Sequence, residues 1–235
     1  MNLEHLLELY WLDSLALAWF FVCWSGYAYF ANWNGRRRPS LSTVLHGHRE
    51  NWMRQMLKRE NRVMDSTAVA LLERNVTFFA STTIFILAGL LTTLGAADRV
   101  LAVLAYLPIL VKPGRALFEV KVMLLILAFI YAFFKFTWSM RQYNFVAILI
   151  GGAPSLAAPA ADQALFAERG GRILSLAGNA FNFGLRAYYF SLGALAWFLH
   201  PVAFMVTTSW VVAVLYRREF HAKSLRAMVY ETSKL

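Results

Sequence analysis

Four long apolar blocks run along the chain, and within each one the apolar residues are continuous rather than alternating with polar ones. Three of them, 14–32, 76–95 and 118–138, have the length of one membrane crossing. A helix needs about 20 apolar residues to cross a hydrocarbon core of roughly 30 Å. Continuous blocks indicate helices, since the strands of a membrane barrel alternate. The pattern therefore predicts an all-α integral membrane protein folded as a helical bundle.

The fourth block, 181–216, is too long for a single crossing. As one straight helix, its 36 residues would measure about 54 Å. His200-Pro201 lies near its middle, and proline resists the continuation of a helix. We predict that the block folds back at this dipeptide, which makes five transmembrane spans in all. The alternative is four spans with a kinked last helix.

Basic residues beside the blocks predict the orientation. Residues 36–38 after the first block are all arginine, whereas residues 1–13 contain three carboxylates and no Lys or Arg. A signal peptide starts basic, so none is expected here. Because Lys and Arg are enriched on the cytoplasmic side of membrane helices, we expect the N-terminus outside and the C-terminus in the cytoplasm of a bacterial inner-membrane protein. A hairpin at His200-Pro201 also keeps the basic residues after 216 inside.

The segments between the blocks complete the predicted domain plan. We predict a single transmembrane domain over 1–235, with three cytoplasmic segments at 34–73, 139–180 and 217–235. Residues 43–66 in the first of these are predicted to form a basic amphipathic helix, because Trp52, Met56 and Val63 share one face. Such a helix either lies in the inner-leaflet interface or packs on its own protein.

Helix-breaking residues punctuate the second cytoplasmic segment. The third membrane helix is predicted to continue past the membrane until Gly-Gly-Ala-Pro at 151–154 stops it. Asp162 can cap a further short helix. Gly170-Gly171 is expected to weaken or interrupt that helix, because glycine is a poor helix former.

Composition narrows the class of partner. The chain is 59% hydrophobic and 15% charged, with a mean hydropathy of +0.49 and a formal net charge of +10. A soluble domain is closer to half apolar and a quarter charged. The basic residues cluster beside apolar blocks, so anionic lipid headgroups are the expected partners and nucleic acid is not.

Catalytic and metal-binding motifs are missing from the sequence. The single cysteine, Cys23, excludes a disulfide within the chain. His46 and His48 are two residues apart and do not share a helix face, so no metal site is predicted. We find no nucleotide-binding glycine motif and no combination of nucleophile, base and orienting group. The sequence therefore predicts a protein without enzyme activity and without a cofactor.

Cations lie at or inside the span ends, where an unpaired charge is costly. Long cationic side chains near a span end can reach the headgroups; the alternative is a cationic cluster that lines an anion path or holds a lipid phosphate. Arg74, Arg141 and Arg186 fall at cytoplasmic ends and are expected to converge at one depth. The candidate binding residues from this position are Arg74 with its neighbour Asn75, Lys121, Arg141 and Arg186.

Small and hydroxyl residues share one face in two of the spans. Small residues allow membrane helices to approach closely, and hydroxyls can bond across the contact. A hydroxyl-lined pore is the alternative to such packing. The candidate pore or packing residues are Thr77, Ser81 and Thr82 in the second span and Gly184 and Ser191 in the fourth.

Ordered short motifs give the chain a family resemblance. They are Tyr10-Trp11-Leu12-Asp13, Ser25-Gly26-Tyr27, Arg74-Asn75 with Ala80-Ser81-Thr82, Lys121, Ser139 with Arg141 and Asn144, Leu185-Arg186-Ala187-Tyr188-Tyr189, Pro201, and Leu215-Tyr216. With these motifs the chain resembles domain-of-unknown-function family 599, a family of bacterial and plant membrane proteins. The resemblance implies no assigned activity. It adds Asn144 to the candidate binding residues and marks Arg74, Asn75, Lys121, Arg141, Asn144 and Arg186 as the first to test.

Two functions follow as hypotheses. The first is a homo-oligomeric pore or transporter-like protein for a small anion or polar solute, motivated by the hydroxyl face and the cations. The second is a non-catalytic scaffold, or a lipid- or partner-binding membrane subunit, held by its basic inner helix.

Overall fold

A computed structural model describes residues 11–34, 40–104, 106 and 114–232. Within these residues it has eight α-helices and no strand, which confirms the predicted all-helical fold. The helices are α1 (Trp11–Asn34), α2 (Leu41–Leu57), α3 (Val63–Gly95), α4 (Ala97–Leu104), α5 (Arg115–Gly151), α6 (Ala160–Ala194), α7 (Pro201–Phe220) and α8 (Lys223–Thr232). A 3₁₀ turn, Leu195–Phe198, follows α6. Tyr10 and the three arginines at 36–38 lie outside the described residues.

Among the residues that the structure describes, three helices are long and apolar enough to cross a membrane. They are α1 over Trp11–Ala31, α3 over Val63–Gly95 and α5 over Arg115–Gly151. At 1.5 Å per residue, the 33 residues of α3 and the 37 of α5 measure about 50 and 55 Å. Both helices therefore exceed the roughly 30 Å of a hydrocarbon core. Because three of the described helices meet the criteria for a span, the five predicted crossings stay a prediction.

The fourth apolar block forms a helical hairpin. Pro201 is the first residue of α7, a position where its missing N–H is not needed. The side chain of His200 caps the same helix by accepting from Val202 N at 3.1 Å. Thr207 Oγ1 then donates to Gly193 O at 2.9 Å, so α7 returns antiparallel along α6. The predicted fold-back is confirmed, and the single kinked helix is excluded.

Helix α5 occupies the centre of the bundle, packed between α3 and α6. Aromatic rings fill this contact: the Phe136 ring lies 5.5 Å from Phe79, 5.7 Å from Phe181 and 5.6 Å from Tyr188. Helices α1 and α7 pack together beside it. Edge-to-face and tilted rings of this kind combine a large buried area with favourable pair geometry.

The basic amphipathic helix packs on its own protein. Met53, Met56 and Leu57 of α2 are buried, and α2 lies against α6. The predicted helix over 43–66 is therefore too long at its end, because α2 stops at Leu57 and Val63 begins α3.

Hydrogen bonds to Asp65 explain why α2 ends where it does. Trp52 Nε1 and Arg59 Nη1 both donate to Asp65 Oδ1, at 2.7 and 2.6 Å. Asp65 is buried in the first turn of α3. The shared carboxylate turns the chain between the two helices, and charge-assisted hydrogen bonds of this length are among the stronger ones in proteins.

Gly170-Gly171 does not interrupt α6, which runs unbroken from Ala160 to Ala194. The expected interruption of a short helix is therefore wrong. A Cβ on Gly171 would lie 2.7 Å from Glu50 Cα, and one on Gly170 would lie 3.0 Å from Met53 Sδ. The two glycines therefore provide the space in which α2 approaches α6. Helix α5 does extend to Gly151, as predicted.

Candidate functional site

A small cleft opens between α1, α6 and α7, beside the first residue of α2. Its volume is about 70 Å³, and we call it the arginine cleft. It is lined by Tyr27, Leu41, Asn182, Leu185, Arg186, Tyr189, Leu215, Arg218 and Glu219. Two guanidinium groups face one carboxylate in this lining, so the cleft favours an anion.

Arg186 is the central cation of the arginine cleft. Its guanidinium carbon lies 5.2 Å from the ring centres of both Tyr27 and Phe183, and its side chain is only 16% exposed. The nearest carboxylate oxygen, from Glu219, is 3.7 Å from Nη2, which is beyond hydrogen-bond length. Among the described residues, none accepts a hydrogen bond from the five N–H groups that a guanidinium carries.

Arg218 forms the outer wall of the cleft. Its Nη1 donates to the Tyr189 hydroxyl, and its guanidinium carbon lies 5.3 Å from the centre of that ring. Unlike Arg186, Arg218 is exposed. The two arginines are thus positioned by tyrosine rings, in a cation–π arrangement that leaves most of their N–H groups free.

Glu219 connects the cleft to the start of α2. Its Oε1 accepts from Ser42 N at 3.4 Å, in the first turn of α2. Ser42 Oγ donates to Asn179 Oδ1 of α6 at 2.9 Å. The carboxylate therefore lies between the Arg186 guanidinium and the positive end of a helix dipole.

Lys121 belongs to a different cluster. It is 2% exposed, and its Nζ donates to Trp197 O at 2.8 Å and lies 3.7 Å from Asp13 Oδ1. Trp197 Nε1 donates to the same carboxylate oxygen at 2.7 Å. This buried cluster joins α1, α5 and the 3₁₀ turn, and it lies well away from the arginine cleft.

The other predicted binding residues lie on the surface of this chain: Arg74, Asn75, Arg141 and Asn144 are all exposed. The structure separates Arg141 from Arg186 along the bundle. Lys135 Nζ lies 5.5 Å from the Phe183 ring, and Arg141 is six residues further along α5, roughly 9 Å. The expected convergence at one depth is therefore wrong for Arg141 and Arg186, and it stays a prediction for Arg74.

The hydroxyl face of α3 lies at the edge of the bundle, where Thr77 Oγ1 is 3.4 Å from Met140 Sδ of α5. Thr77 and Ser81 are exposed and Thr82 is half-buried. The hydroxyls of Thr77 and Thr82 donate to carbonyls of their own helix, at 3.0 and 2.8 Å. This satisfies the hydroxyl protons inside an apolar medium. The face lines no path within the described part of this chain.

The small residues of α6 serve helix packing. Gly184 is buried, and a Cβ there would collide with the Phe136 ring of α5. Ser191 is also buried and donates to Ala187 O of its own helix at 2.8 Å. Both positions let neighbouring helices approach closely.

A serine–histidine contact also joins α2 to α6. His46 Nδ1 and Ser175 Oγ are 2.8 Å apart, while Ser175 Oγ donates to Gly171 O at 2.8 Å. The hydroxyl proton therefore goes to a carbonyl, which leaves the oxygen to accept from His46. Three residues further along α2, burial lowers the pKa of the Arg49 guanidinium, although the group stays charged.

Metal binding has no support in the described residues, since no group of three or more His, Cys, Asp or Glu side chains there could hold an ion. The absence of enzyme activity stays a prediction.

Sequence reasoning missed five residues of the arginine cleft, Tyr27, Asn182, Tyr189, Arg218 and Glu219. One signal was available: Glu219 is the one carboxylate within the basic stretch 217–226.

Comparison with protein families matches residues 15–224 to the family described as "Protein of unknown function, DUF599". The chain belongs to the DUF599 family. The match includes every residue of the arginine cleft and most of the described helices of this DUF599 protein. No curated protein and no solved structure matches it.

Proposed function

We propose that this DUF599 protein is a multi-pass membrane protein that binds a phosphate-bearing anion in its arginine cleft, without catalysis. The observation that carries the proposal is Arg186, a largely buried guanidinium that lines the cleft and donates no hydrogen bond to any described residue. Arginine binds phosphate in a two-pronged geometry, and such charge-assisted bonds are strong when they are desolvated.

The phosphate would come either from a lipid headgroup or from solution. In the five-span arrangement, Arg218 and Glu219 end α7 at the cytoplasmic surface, at the level of the inner headgroups. Anionic lipids are attracted there by roughly 1 kcal/mol per basic residue near the surface. We therefore favour an anionic phospholipid, and the experiment separates it from free phosphate.

The R186Q variant tests the proposal. We expect phosphatidylglycerol to raise the melting temperature of the detergent-purified wild type more than phosphatidylcholine does. R186Q should bind about tenfold more weakly, because a hydrogen bond to a charged group contributes about 1.5–3 kcal/mol. Lipid titration by native mass spectrometry measures the same ratio, and a parallel arm with inorganic phosphate identifies the source.

The matched control is R172Q, which removes an exposed charge from α6 outside the cleft. It should leave lipid affinity within about twofold of the wild type. Equal losses in both variants would mean that net charge, and not the cleft, attracts the lipid. No preference of the wild type for either anion would refute the proposed function.

A homo-oligomeric path for a small anion or polar solute is the second candidate function. It is favoured by the exposed polar face of α3, with Arg74, Thr77 and Ser81, which a second copy could cover. Flux through reconstituted liposomes above that of empty liposomes would favour this path. Flux equal to that of empty liposomes under several gradients would contradict a transport path, and anion binding would then be the only proposed function that stands.

Membrane topology can be tested by labelling cysteines with a membrane-impermeant maleimide. The chain has one cysteine, so a C23S background accepts single reporters. We expect D98C, after α3, to be labelled in spheroplasts, and S224C, after α7, only once the membrane is opened. A labelled S224C in sealed spheroplasts would place the tail outside and contradict five spans.

A further inference from the structure

Glu219 is the one carboxylate among the residues that line the arginine cleft. It is 16% exposed, and its two oxygens face different positive partners. One oxygen is 3.7 Å from Arg186 Nη2, and the other is 3.4 Å from Ser42 N. Both distances are longer than those of a strong charge-assisted bond, about 2.7–2.9 Å. The carboxylate is thus shared between two partners and held firmly by neither.

A phosphate bound to Arg186 would lie close to this carboxylate. The phosphate and the Glu219 carboxylate would repel each other at such a distance. Both are stabilised by the Arg186 guanidinium, so they compete for it. We propose that Glu219 is a built-in competitor that occupies Arg186 in the empty cleft and sets its affinity for the anionic ligand. This inference rests on the proposed function and concerns the same site.

The start of α2 provides the second position for the displaced carboxylate. Ser40 Oγ accepts a hydrogen bond from Thr43 N at 3.2 Å. The preceding amide, Ser42 N, has no partner within α2 and donates to Glu219 instead. Carboxylates are stabilised near a helix N-terminus. When the ligand takes Arg186, Glu219 shifts toward Ser42 N, and the first turn of α2 gains a firmer hydrogen bond.

The cleft is thereby coupled to the α2–α6 contact. Ser42 Oγ already bonds Asn179 of α6 at 2.9 Å, so the first turn of α2 touches both the cleft and the neighbouring helix. Binding in the cleft should order this turn, and loss of α2 from α6 should weaken binding.

The test compares E219Q with E168Q, which removes an exposed carboxylate of α6 outside the cleft. Phosphatidylglycerol in nanodiscs and inorganic phosphate in detergent are the two probes. E219Q should bind whichever anion the wild type prefers about tenfold more tightly, because it removes the competing charge. E168Q should stay within about twofold of the wild type. E219D keeps the charge and should also stay near the wild type, which separates charge from packing.

Hydrogen exchange of the unaltered protein is a second measurement, for the case in which E219Q does not fold. Amide exchange in the first turn of α2 should slow when the preferred anion is added. Binding by the wild type with no tighter binding by E219Q, or with unchanged exchange in that turn, would overturn the competitor role and leave the proposed function standing. A wild type that binds neither probe would overturn the proposed function itself.

Discussion

G171A is expected to loosen α2 from α6 and to lower the free energy of unfolding by about 1–3 kcal/mol, the range for an overpacked contact. The added methyl group would lie 2.7 Å from Glu50 Cα and 2.9 Å from Glu50 N. Both are backbone atoms, so no side-chain rotation can relieve the clash, and α2 must move as a whole. Thermal unfolding in detergent measures the loss, and proteolysis between residues 58 and 62 reports the release of α2.

Two neighbouring glycines provide the controls. In G170A the new methyl group meets Met53 Sδ at 3.0 Å, the flexible part of a side chain, so a smaller loss is expected. Gly47 on α2 has nothing within 4 Å, and G47A should stabilise the helix by roughly 0.5–1 kcal/mol. If G171A behaved like G47A, the close approach of α2 to α6 would be wrong. The competitor role of Glu219 also predicts weaker anion binding in G171A.

D13N is expected to destabilise the protein by about 3 kcal/mol, because it leaves a buried charge without its partner. Lys121 is 2% exposed, and without the Asp13 carboxylate it would keep two neutral partners, the Trp197 carbonyl at 2.8 Å and the Trp197 ring centre at 5.4 Å. The K121M variant should lose less, since Asp13 is 15% exposed and keeps its bond from Trp197 Nε1. The double variant should recover part of the loss, because an apolar pair can replace a buried ion pair at little cost.

A matched substitution at the surface tests whether burial is the reason. Asp98 pairs with Arg115 but is 73% exposed, so D98N should change the free energy of unfolding by less than about 1 kcal/mol. Chemical denaturation of all four variants in the same detergent gives the comparison. Similar losses in D13N and D98N would show that the Lys121 cluster is not a buried electrostatic contact.

The helices could be predicted from the sequence because their causes are local. Continuous apolar blocks of about 20 residues can satisfy their backbone groups in lipid only as helices. Pro201 could not continue α6 and became the first residue of α7, as its fixed backbone angle and missing N–H require. The stop near Gly151 and the amphipathic nature of α2 were equally readable, although the end of α2 depended on Asp65, a residue of the next helix.

The candidate site could be predicted only in part. Arg186 could be identified from the sequence as a cation inside an apolar block, where burying an unpaired charge is costly and therefore indicates a functional or structural role. Arg74 and Arg141 gave the same signal but are exposed on this chain. Glu219 was missed because its partners, Arg186 and Ser42, are 33 and 177 residues away along the chain.

Sequence alone determined the helical class, the hairpin at His200-Pro201 and the family, because each depends on neighbouring residues and their order. Tertiary structure alone decided which faces meet. Gly170-Gly171 has the local pattern of a helix breaker, yet it lies inside α6 where α2 packs closely against it. Glycine destabilises a helix by less than about 1 kcal/mol, and the free energy gained from close helix packing can exceed that cost. The arginine cleft arises in the same way, from three helices whose register no local pattern specifies.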